Sequence, residues 1–198
     1  MLKYLYDIPN AITATGLVLT TLSLNLILEG RINVAIVLLM WAVMLDHIDG
    51  WVARHQPTRS SDNSRFGGDL DSLTDFVSAG VAPWLIVAQL NTTGPFPLAT
   101  SLMLLPAAAL RVAYFNNFGL KEDGRFFGLP LTYNVPVCGL ILMLDRYGWP
   151  ISVDEVLPWI LMTLAIMHVV PFGPPPVRGI GFPIIFSYSV LLTIAMLR

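Results

Sequence analysis

Four aspartates recur at helical spacing in two short segments of the chain, at Asp46, Asp49, Asp71 and Asp75. Positions 46, 49, 50 and 53 share one face of a helix, and positions 67, 71 and 75 share one face of the next. At about 1.5 Å per residue, Asp46 and Asp75 each lie roughly 12 Å inside the helix ends marked by Arg54 and Gly67. Two antiparallel helices would therefore bring the four carboxylates together.

Such a cluster of carboxylates has a chemistry of its own. Buried like charges repel one another and lose their hydration, and divalent cations relieve both costs. Mg²⁺, Mn²⁺ and Ca²⁺ prefer hard oxygen ligands, and carboxylates that bridge two such ions serve in-line displacement at phosphorus. The sequence therefore predicts a site for two divalent cations.

The residues around the aspartates predict that the ligand carries phosphate. Gly50, Ala53 and Gly67 have almost no side chain and should leave room for a ligand beside the backbone. Arg54 and Arg111 supply positive charge on the same side, and a helix beginning near Gly67 would add free backbone N–H groups.

The elements that must position these residues are membrane helices. Of the 198 residues, 55% are hydrophobic and 12% are charged, about half the charge of a soluble domain. A helix crosses the hydrocarbon core with about 20 apolar residues. We predict an all-α, polytopic integral membrane bundle, a single domain over residues 1–198, with six core transmembrane helices and a seventh at the C-terminus. The predicted spans are 11–28, 32–54, 67–90, 97–115, 131–144, 156–170 and 182–197.

Charge and cysteine content exclude other classes of protein and orient the bundle. The 11 basic and 13 acidic residues nearly cancel, which excludes a nucleic-acid partner, and the single cysteine, Cys138, excludes a disulfide-stapled domain. If the helices alternate, one side collects most of the basic residues and is predicted to be cytoplasmic, with the site opening to it. These residues are Lys3, Arg54, Arg59, Arg65, Arg111, Lys121, Arg125 and Arg178; Arg31, Arg146 and Arg198 fall on the other side.

The run Asp46-x-x-Asp49-Gly50-x-x-Ala53-Arg54, followed by Gly67-x-x-x-Asp71-x-x-x-Asp75, resembles the signature of the CDP-alcohol phosphatidyltransferase family. The resemblance implies transfer of a substituted phosphate from a CDP-linked donor to an acceptor hydroxyl, with release of CMP. It also implies two divalent cations, Mg²⁺ or Mn²⁺, held by the four aspartates, with Asp75 also the catalytic proton acceptor. The residues predicted to bind substrate are Asn10, Thr13, Gly50, Ala53, Arg54, Ser64, Gly67 and Arg111.

Within the family, segments 70–83, 109–116 and 127–130 are similar to the small bacterial and archaeal phosphatidylserine synthases. This likeness implies CDP-diacylglycerol as donor and L-serine as the leading acceptor, with glycerol phosphate, inositol phosphate and choline as alternatives. It also implies a prokaryotic cytoplasmic membrane and a homodimer.

Two departures from the family pattern carry expectations. Twelve residues, 55–66, stand between Arg54 and Gly67, more than is usual, and they predict a longer loop that alters access or acceptor contacts. Tyr114 stands where these synthases usually have a second arginine, which could change how an acceptor carboxylate is held.

Two other classes of membrane protein also use intramembrane acids. A prenyltransferase usually has its two acidic motifs far apart, whereas Asp49 and Asp71 are 22 positions apart. A divalent-cation transporter gains nothing from Arg54 and Arg111, because they would repel a cation. His47 is expected to pack or pair, and His168 to lie at the interface or to cap a helix.

Overall fold

The computed structural model describes residues 1–90, 95–150, 152–176 and 181–198, with no side-chain detail for residues 95 and 96; Arg178 lies outside these residues. The eight α-helices within them are α1 Ile8–Leu28, α2 Ile32–His55, α3 Ser61–Asp75, α4 Ala82–Gln89, α5 Pro95–Phe118, α6 Asn134–Arg146, α7 Val153–Val169 and α8 Gly181–Leu197. Short 3₁₀ turns cover Leu2–Tyr6 and Leu131–Tyr133, and a π-helical segment, Phe76–Val81, joins α3 to α4. The described residues form no strand, so the all-α prediction is confirmed.

Four helical stretches are long and apolar enough to cross a membrane, and the chain is an integral membrane protein. They are Ile8–Leu28, Ile32–His55, the continuous stretch Ser61–Gln89 and Pro97–Phe118. Helices α6, α7 and α8 are shorter, with 13, 17 and 17 residues. A polytopic helical bundle is therefore confirmed, while the count of six or seven spans stays a prediction.

Helices α1, α3 and α7 begin three to six residues earlier than predicted, and the starts of α1 and α3 have a clear local cause. Helix α1 starts at Ile8 because Pro9 can occupy the first turn, where its missing N–H removes no helical hydrogen bond. Helix α3 starts at Ser61, where the Ser60 hydroxyl caps it by accepting a hydrogen bond from the Asn63 N–H at 3.2 Å. The expected twelve-residue loop is thus a short connection, 56–60, followed by almost two helical turns.

This early start of α3 also changes the position of Gly67. The residue is the seventh of the helix and not at its N-terminal end. The backbone N–H groups expected to be free at Gly67 are therefore those of an interior helical turn, and that part of the prediction is wrong.

Helix α2 lies at the centre of the bundle, with Ile36, Leu39 and Met40 fully buried. It packs along α1, where the Ser23 hydroxyl donates to the Ala35 carbonyl at 3.0 Å. Helix α5 packs mainly on α7. The α2 aspartates are consequently held by the best-packed helix of the described structure.

The π-helical segment follows from two residues of the sequence. Pro83 has no N–H, so the Ala79 carbonyl loses the hydrogen bond that an α-helix would supply. The Asn134 side-chain amide donates to that carbonyl at 2.8 Å.

At Gly80, an added Cβ would lie 3.1 Å from the Cβ of Ala108, so a glycine lets α5 approach closely. This approach brings the next turn of α5 beside the end of α3.

Candidate active site

Helices α2 and α3 bring three of the four aspartates into one cluster. Asp46, Asp49 and Asp71 each offer a carboxylate oxygen, and these oxygens all lie within 4.8 Å of one another. The Asp46 and Asp71 side chains are within hydrogen-bonding reach of each other. Asp49 is buried, and the other two are half-buried. The two acidic helix faces therefore meet as their spacing requires.

Asp75 lies next to this cluster but not in it. It is half-buried at the end of α3 and lies within electrostatic reach of Asp71 on one side and Arg111 on the other. The Asp75 carboxylate is therefore influenced both by the acidic cluster and by a cation from α5. The other aspartates have different neighbours, since His47 lies beside Asp46 and the Thr13 hydroxyl bonds to Asp49.

Thr13 reaches the cluster directly from α1. Its hydroxyl donates a short hydrogen bond to the Asp49 carboxylate and also lies 3.1 Å from the Pro9 carbonyl. Both Thr13 and Asp49 are buried. A neighbour that orients a ligating side chain in this way contributes to the affinity of a metal site.

Asn10, one turn earlier, belongs to a hydrogen-bonded group that we call the N-terminal latch, formed by Asp7, Asn10, Arg59 and Asn63. Arg59 donates through Nε to Asp7 Oδ2 at 3.0 Å and through Nη2 to Asn10 Oδ1 at 2.6 Å. The Asn10 amide donates to the carbonyls of Tyr4 and Asn63 at 3.0 and 3.2 Å. In this structure the Asn10 side chain therefore ties α1 to the 56–60 connection and to α3.

Sequence reasoning missed Arg59 and Asp7. Asp7 is 5% exposed, so its carboxylate needs a partner of opposite charge. That partner is Arg59, which lies in segment 55–66, the segment that is longer than is usual in the family. The pair joins positions 52 residues apart, and a motif of local spacing carries no signal for such a contact.

The glycines of the motif differ in what surrounds them. A Cβ added at Gly67 would collide with the Asn10 amide and lie 2.5 Å from Arg59 Nη2, so the room expected there is filled. At Gly50, among the described residues and apart from the backbone of α2 itself, an added Cβ would have one neighbour within 4 Å, Arg54 Nη1 at 3.4 Å. Room for a ligand therefore remains beside Gly50 and the half-buried Ala53.

Arg54 and Ser64 are exposed near the ends of their helices, at the side of the bundle that holds the 56–60 connection. Arg54 makes no ion pair with any residue that the structure describes. Both side chains are therefore accessible from solvent at that end of the bundle.

Arg111 is buried, with 6% of its surface exposed, yet no carboxylate of the described residues lies within 4.0 Å of its nitrogens. Its Nε donates to the Leu129 carbonyl at 3.3 Å, and its guanidinium lies 5.2 and 5.6 Å from the ring centres of Phe115 and Phe126. A buried guanidinium without a close carboxylate could bind an anion through its remaining N–H donors.

Three further residues can now be placed. Tyr114 stacks on Phe127 with ring centres 4.5 Å apart, so it packs against the segment that follows α5. His47 pairs with Asp46 at 3.4 Å, as expected. His168, in the last turn of α7, is 1% exposed and therefore faces the interior of the bundle.

These features define a helical membrane protein with a carboxylate cluster beside a buried cation. The family model for CDP-alcohol phosphatidyltransferase matches residues 6–171, and the chain belongs to this family.

Curated relatives share this family character. The chain is 28% identical to the archaetidylserine synthase of Methanothermobacter thermautotrophicus, over 81% of this chain and 66% of that protein. It is 32% identical to the CDP-diacylglycerol–serine O-phosphatidyltransferase of Helicobacter pylori, over 72% and 60% of the two chains. The enzyme of the same name from Mycobacterium leprae is 31% identical, over 79% and 54%. The chain thus aligns with between about half and two thirds of the length of these relatives.

The donor set itself fits a divalent cation. Three carboxylate oxygens within 4.8 Å of one another are hard ligands at the separation that a single ion can bridge. Asp46, Asp49 and Asp71 could therefore hold a metal ion.

Proposed function

We propose that this protein transfers the phosphatidyl group of CDP-diacylglycerol to the hydroxyl of L-serine, forming phosphatidylserine and releasing CMP. The observation that carries the proposal is the convergence of the Asp46, Asp49 and Asp71 carboxylates in a membrane bundle of this family. The names of the relatives support serine as the acceptor. Glycerol phosphate, inositol phosphate and choline remain the alternative acceptors.

Two divalent cations, Mg²⁺ or Mn²⁺, would be held by the cluster together with Asp75. Bound there, the ions would neutralise the pyrophosphate of the donor and stabilise the charge that develops during phosphoryl transfer. The half-buried aspartates support this role, because they leave ligand positions open toward a substrate.

The reaction itself needs a proton acceptor, and Asp75 is the residue we propose. The serine oxygen forms a bond to the phosphorus that carries diacylglycerol, while the bond from that phosphorus to the CMP oxygen breaks. CMP leaves with the electron pair, and the hydroxyl proton passes to the Asp75 carboxylate. Arg111, within electrostatic reach of Asp75, would bind the serine carboxylate and so place the hydroxyl beside its base.

The remaining predicted residues would bind the donor. Gly50 and Ala53 leave room for the cytidine, and Arg54 and Ser64 would contact its phosphates. Asn10, Thr13 and Gly67 would support the donor site indirectly, because their contacts are with Arg59, Asp49 and one another.

An apolar cavity supports a lipid donor. It has a volume of about 550 Å³ and is lined by Met40, Val43, His47, Val137, Ile184 and Tyr188, among others. His47, which pairs with Asp46, is one of the residues that line it. We propose that it receives an acyl chain of the donor.

The setting of the enzyme is also part of the proposal. A single domain over residues 1–198 would lie in a prokaryotic cytoplasmic membrane, with the acidic site open to the cytoplasm, and would pair as a homodimer. The basic residues at the ends of α2 and α5 and in the following connections support this orientation.

The test is a CMP-release assay on the purified protein with CDP-diacylglycerol, Mg²⁺ or Mn²⁺, and each acceptor in turn. We expect metal-dependent CMP release with serine, and none from the Asp71→Asn variant. Release with another alcohol but not with serine would contradict the acceptor. No release with any acceptor and either ion would overturn the reaction.

A further inference from the structure

We propose that His168 and Asn134 are positioning residues, which hold Arg111 and Asp75 in place through one buried chain of polar contacts. The chain runs through Arg111, Leu129, His168, Asn134 and Ala79. It joins α5, the segment before α6, α7, α6 and the π-helical segment. The inference rests on the proposed function, because Arg111 and Asp75 are the residues assigned there to the acceptor.

At the Arg111 end, one carbonyl oxygen receives two donors. The Leu129 carbonyl accepts from Arg111 Nε at 3.3 Å and lies 2.8 Å from His168 Nδ1. The Leu129 N–H donates to the Met167 carbonyl at 2.9 Å. Both sides of Leu129 are therefore held by the last turn of α7, and Arg111 bonds to an oxygen that His168 keeps in place.

The preceding residue shows how closely this segment lies on α7. Gly128 has φ +76°, which side chains rarely adopt, and an added Cβ would overlap the His168 carbonyl oxygen. A glycine is required on both grounds. The segment therefore has one well-defined position against His168, which then determines where Leu129 can present its carbonyl.

At the other end of the chain, Asn134 hydrogen-bonds to the backbone of the helical stretch that carries Asp75. Its amide nitrogen donates to the Ala79 carbonyl at 2.8 Å, the carbonyl that Pro83 leaves without its usual α-helical donor. Its Oδ1 lies 3.1 Å from His168 Nε2, and this contact is a hydrogen bond only when the imidazole carries a proton on both nitrogens, because Nδ1 already faces the Leu129 carbonyl. Ala79 is one helical turn beyond Asp75, so Asn134 supports the backbone from which that carboxylate projects.

The two ends therefore share a single central pair, His168 and Asn134, which are 1% and 0% exposed. Each hydrogen bond made inside an apolar bundle leaves a costly unpaired group when one partner is removed. Loss of His168 should be felt first at Arg111, and loss of Asn134 first at Asp75. This difference separates a positioning role from general destabilisation.

Steady-state kinetics of CMP release provide the first test. For His168→Leu we expect the apparent KM for serine to rise about tenfold, equivalent to about 1.4 kcal/mol. For Asn134→Leu we expect kcat to fall about tenfold with a smaller change in KM, because the proton acceptor moves. The KM for CDP-diacylglycerol should change little in both variants.

Conservative variants test the geometry. His168→Asn places an amide nitrogen near the position of Nδ1 and should restore most of the serine KM, whereas His168→Gln reaches toward Nε2 and should not. The matched control is Thr100→Val, which removes another buried hydrogen bond between α5 and α7, from Thr100 Oγ1 to the Pro158 carbonyl at 3.0 Å. Thr100 lies roughly 16 Å along α5 from Arg111, and its variant should retain wild-type KM and kcat.

A second readout needs no activity. Phenylglyoxal modifies arginine side chains, and its rate at Arg111 can be followed by peptide mass spectrometry in the substrate-free protein. We expect slow modification in wild type and in Thr100→Val, and faster modification in His168→Leu, or in His168→Gln if the leucine variant does not fold.

A failure of the positioning role and a failure of the proposed function give different results. Equal modification rates of Arg111 in wild type, His168→Leu and His168→Gln would overturn the positioning role, whatever the activity. Equal serine KM values for His168→Asn and His168→Gln would also contradict it. Absence of CMP release from wild type would overturn the proposed function, and the modification rates would still decide whether His168 holds Arg111.

Discussion

At the scale of single residues, each carboxylate of the site has a different neighbour. Asp49 accepts from the buried Thr13 hydroxyl, Asp46 pairs with His47, and Asp75 lies within electrostatic reach of Arg111. Identical side chains thus acquire different chemistry from their surroundings. Asp75, the carboxylate within electrostatic reach of Arg111, is the residue proposed as proton acceptor.

The first prediction concerns Asp75. Asp75→Asn keeps the size of the side chain but removes the proton acceptor, so CMP release should fall by about 10²- to 10⁴-fold. The protein should still fold, as measured by circular dichroism and thermal unfolding in detergent. Asp69→Asn, an exposed change on the same helix, is the control and should retain activity. Turnover near the wild-type rate in Asp75→Asn would remove this residue from the proposed step.

The second prediction concerns Thr13. Thr13→Val removes the hydroxyl that orients Asp49, and the loss of such a neighbour typically weakens a metal site about 10- to 100-fold. Mn²⁺ titration of the substrate-free protein, followed by the electron paramagnetic resonance of the free ion, measures this directly.

Thr15→Val provides the matched control for Thr13. Thr15 is exposed on the same helix, and its hydroxyl bonds only to the Ala11 carbonyl among the described residues, at 2.8 Å. Its variant should bind Mn²⁺ as wild type does. Equal affinities for Thr13→Val and wild type would show that Thr13 does not support the site.

At the scale of elements, the site depends on how closely α1, α2 and α3 approach one another. The N-terminal latch joins α1 to the connection before α3, and Tyr4 stacks on Phe66 with ring centres 4.7 Å apart. Gly67 lies under Asn10 and Arg59 at this contact. These contacts set the height of α3 against α1, and with it the distance between Asp71 and Asp49.

The third prediction uses two adjacent glycines. Gly67→Ala should displace Arg59 and Asn10, because the new Cβ would meet both side chains, and should lower both the thermal unfolding midpoint and CMP release. Gly68→Ala is the control, since nothing lies within 4 Å of its added Cβ. There the alanine should be neutral or slightly stabilising, as alanine favours helix over glycine by about 1 kcal/mol. Similar effects of the two variants would contradict the close contact at Gly67.

At the scale of the whole molecule, the connectivity places the acidic site at one end of the bundle. The start of α1, the 56–60 connection and the segment after α5 share that end, whereas the connection between α1 and α2 lies at the other. Most of the basic residues belong to the first end, which favours a cytoplasmic site. A lipid donor whose CDP group faces the cytoplasm would then reach the cluster without crossing the membrane.

The fourth prediction tests this orientation. In a Cys138→Ala background, a cysteine at the exposed Glu122 should react with a membrane-impermeant maleimide only in inside-out vesicles. A cysteine at the exposed Glu29 should react only in right-side-out vesicles. The reverse pattern would place the site outside. Labelling of both from one side would contradict the bundle topology.

Much of the fold was predictable from residues close in the chain. Apolar runs identified the helices, and intervals of three and four placed the aspartates on two faces that do meet. Helix starts were harder to predict from the sequence. Residues 61–66 are polar, and they are helical because Ser60 caps the helix and because they contact Tyr4 and Asn10. The polar composition of that segment favoured a loop.

By itself, then, the sequence determined the class of protein, the family motif and the pairing of two acidic helix faces, because these follow from composition and helical period. Only the tertiary structure decided that Arg59 fills the space at Gly67, that Thr13 orients Asp49, and that His168 is buried beneath the Leu129 carbonyl. These contacts join residues 8, 36 and 39 positions apart, on elements whose relative height is set by packing. A local pattern predicts on which face of its own helix a side chain lies, but not which side chain of another helix it contacts.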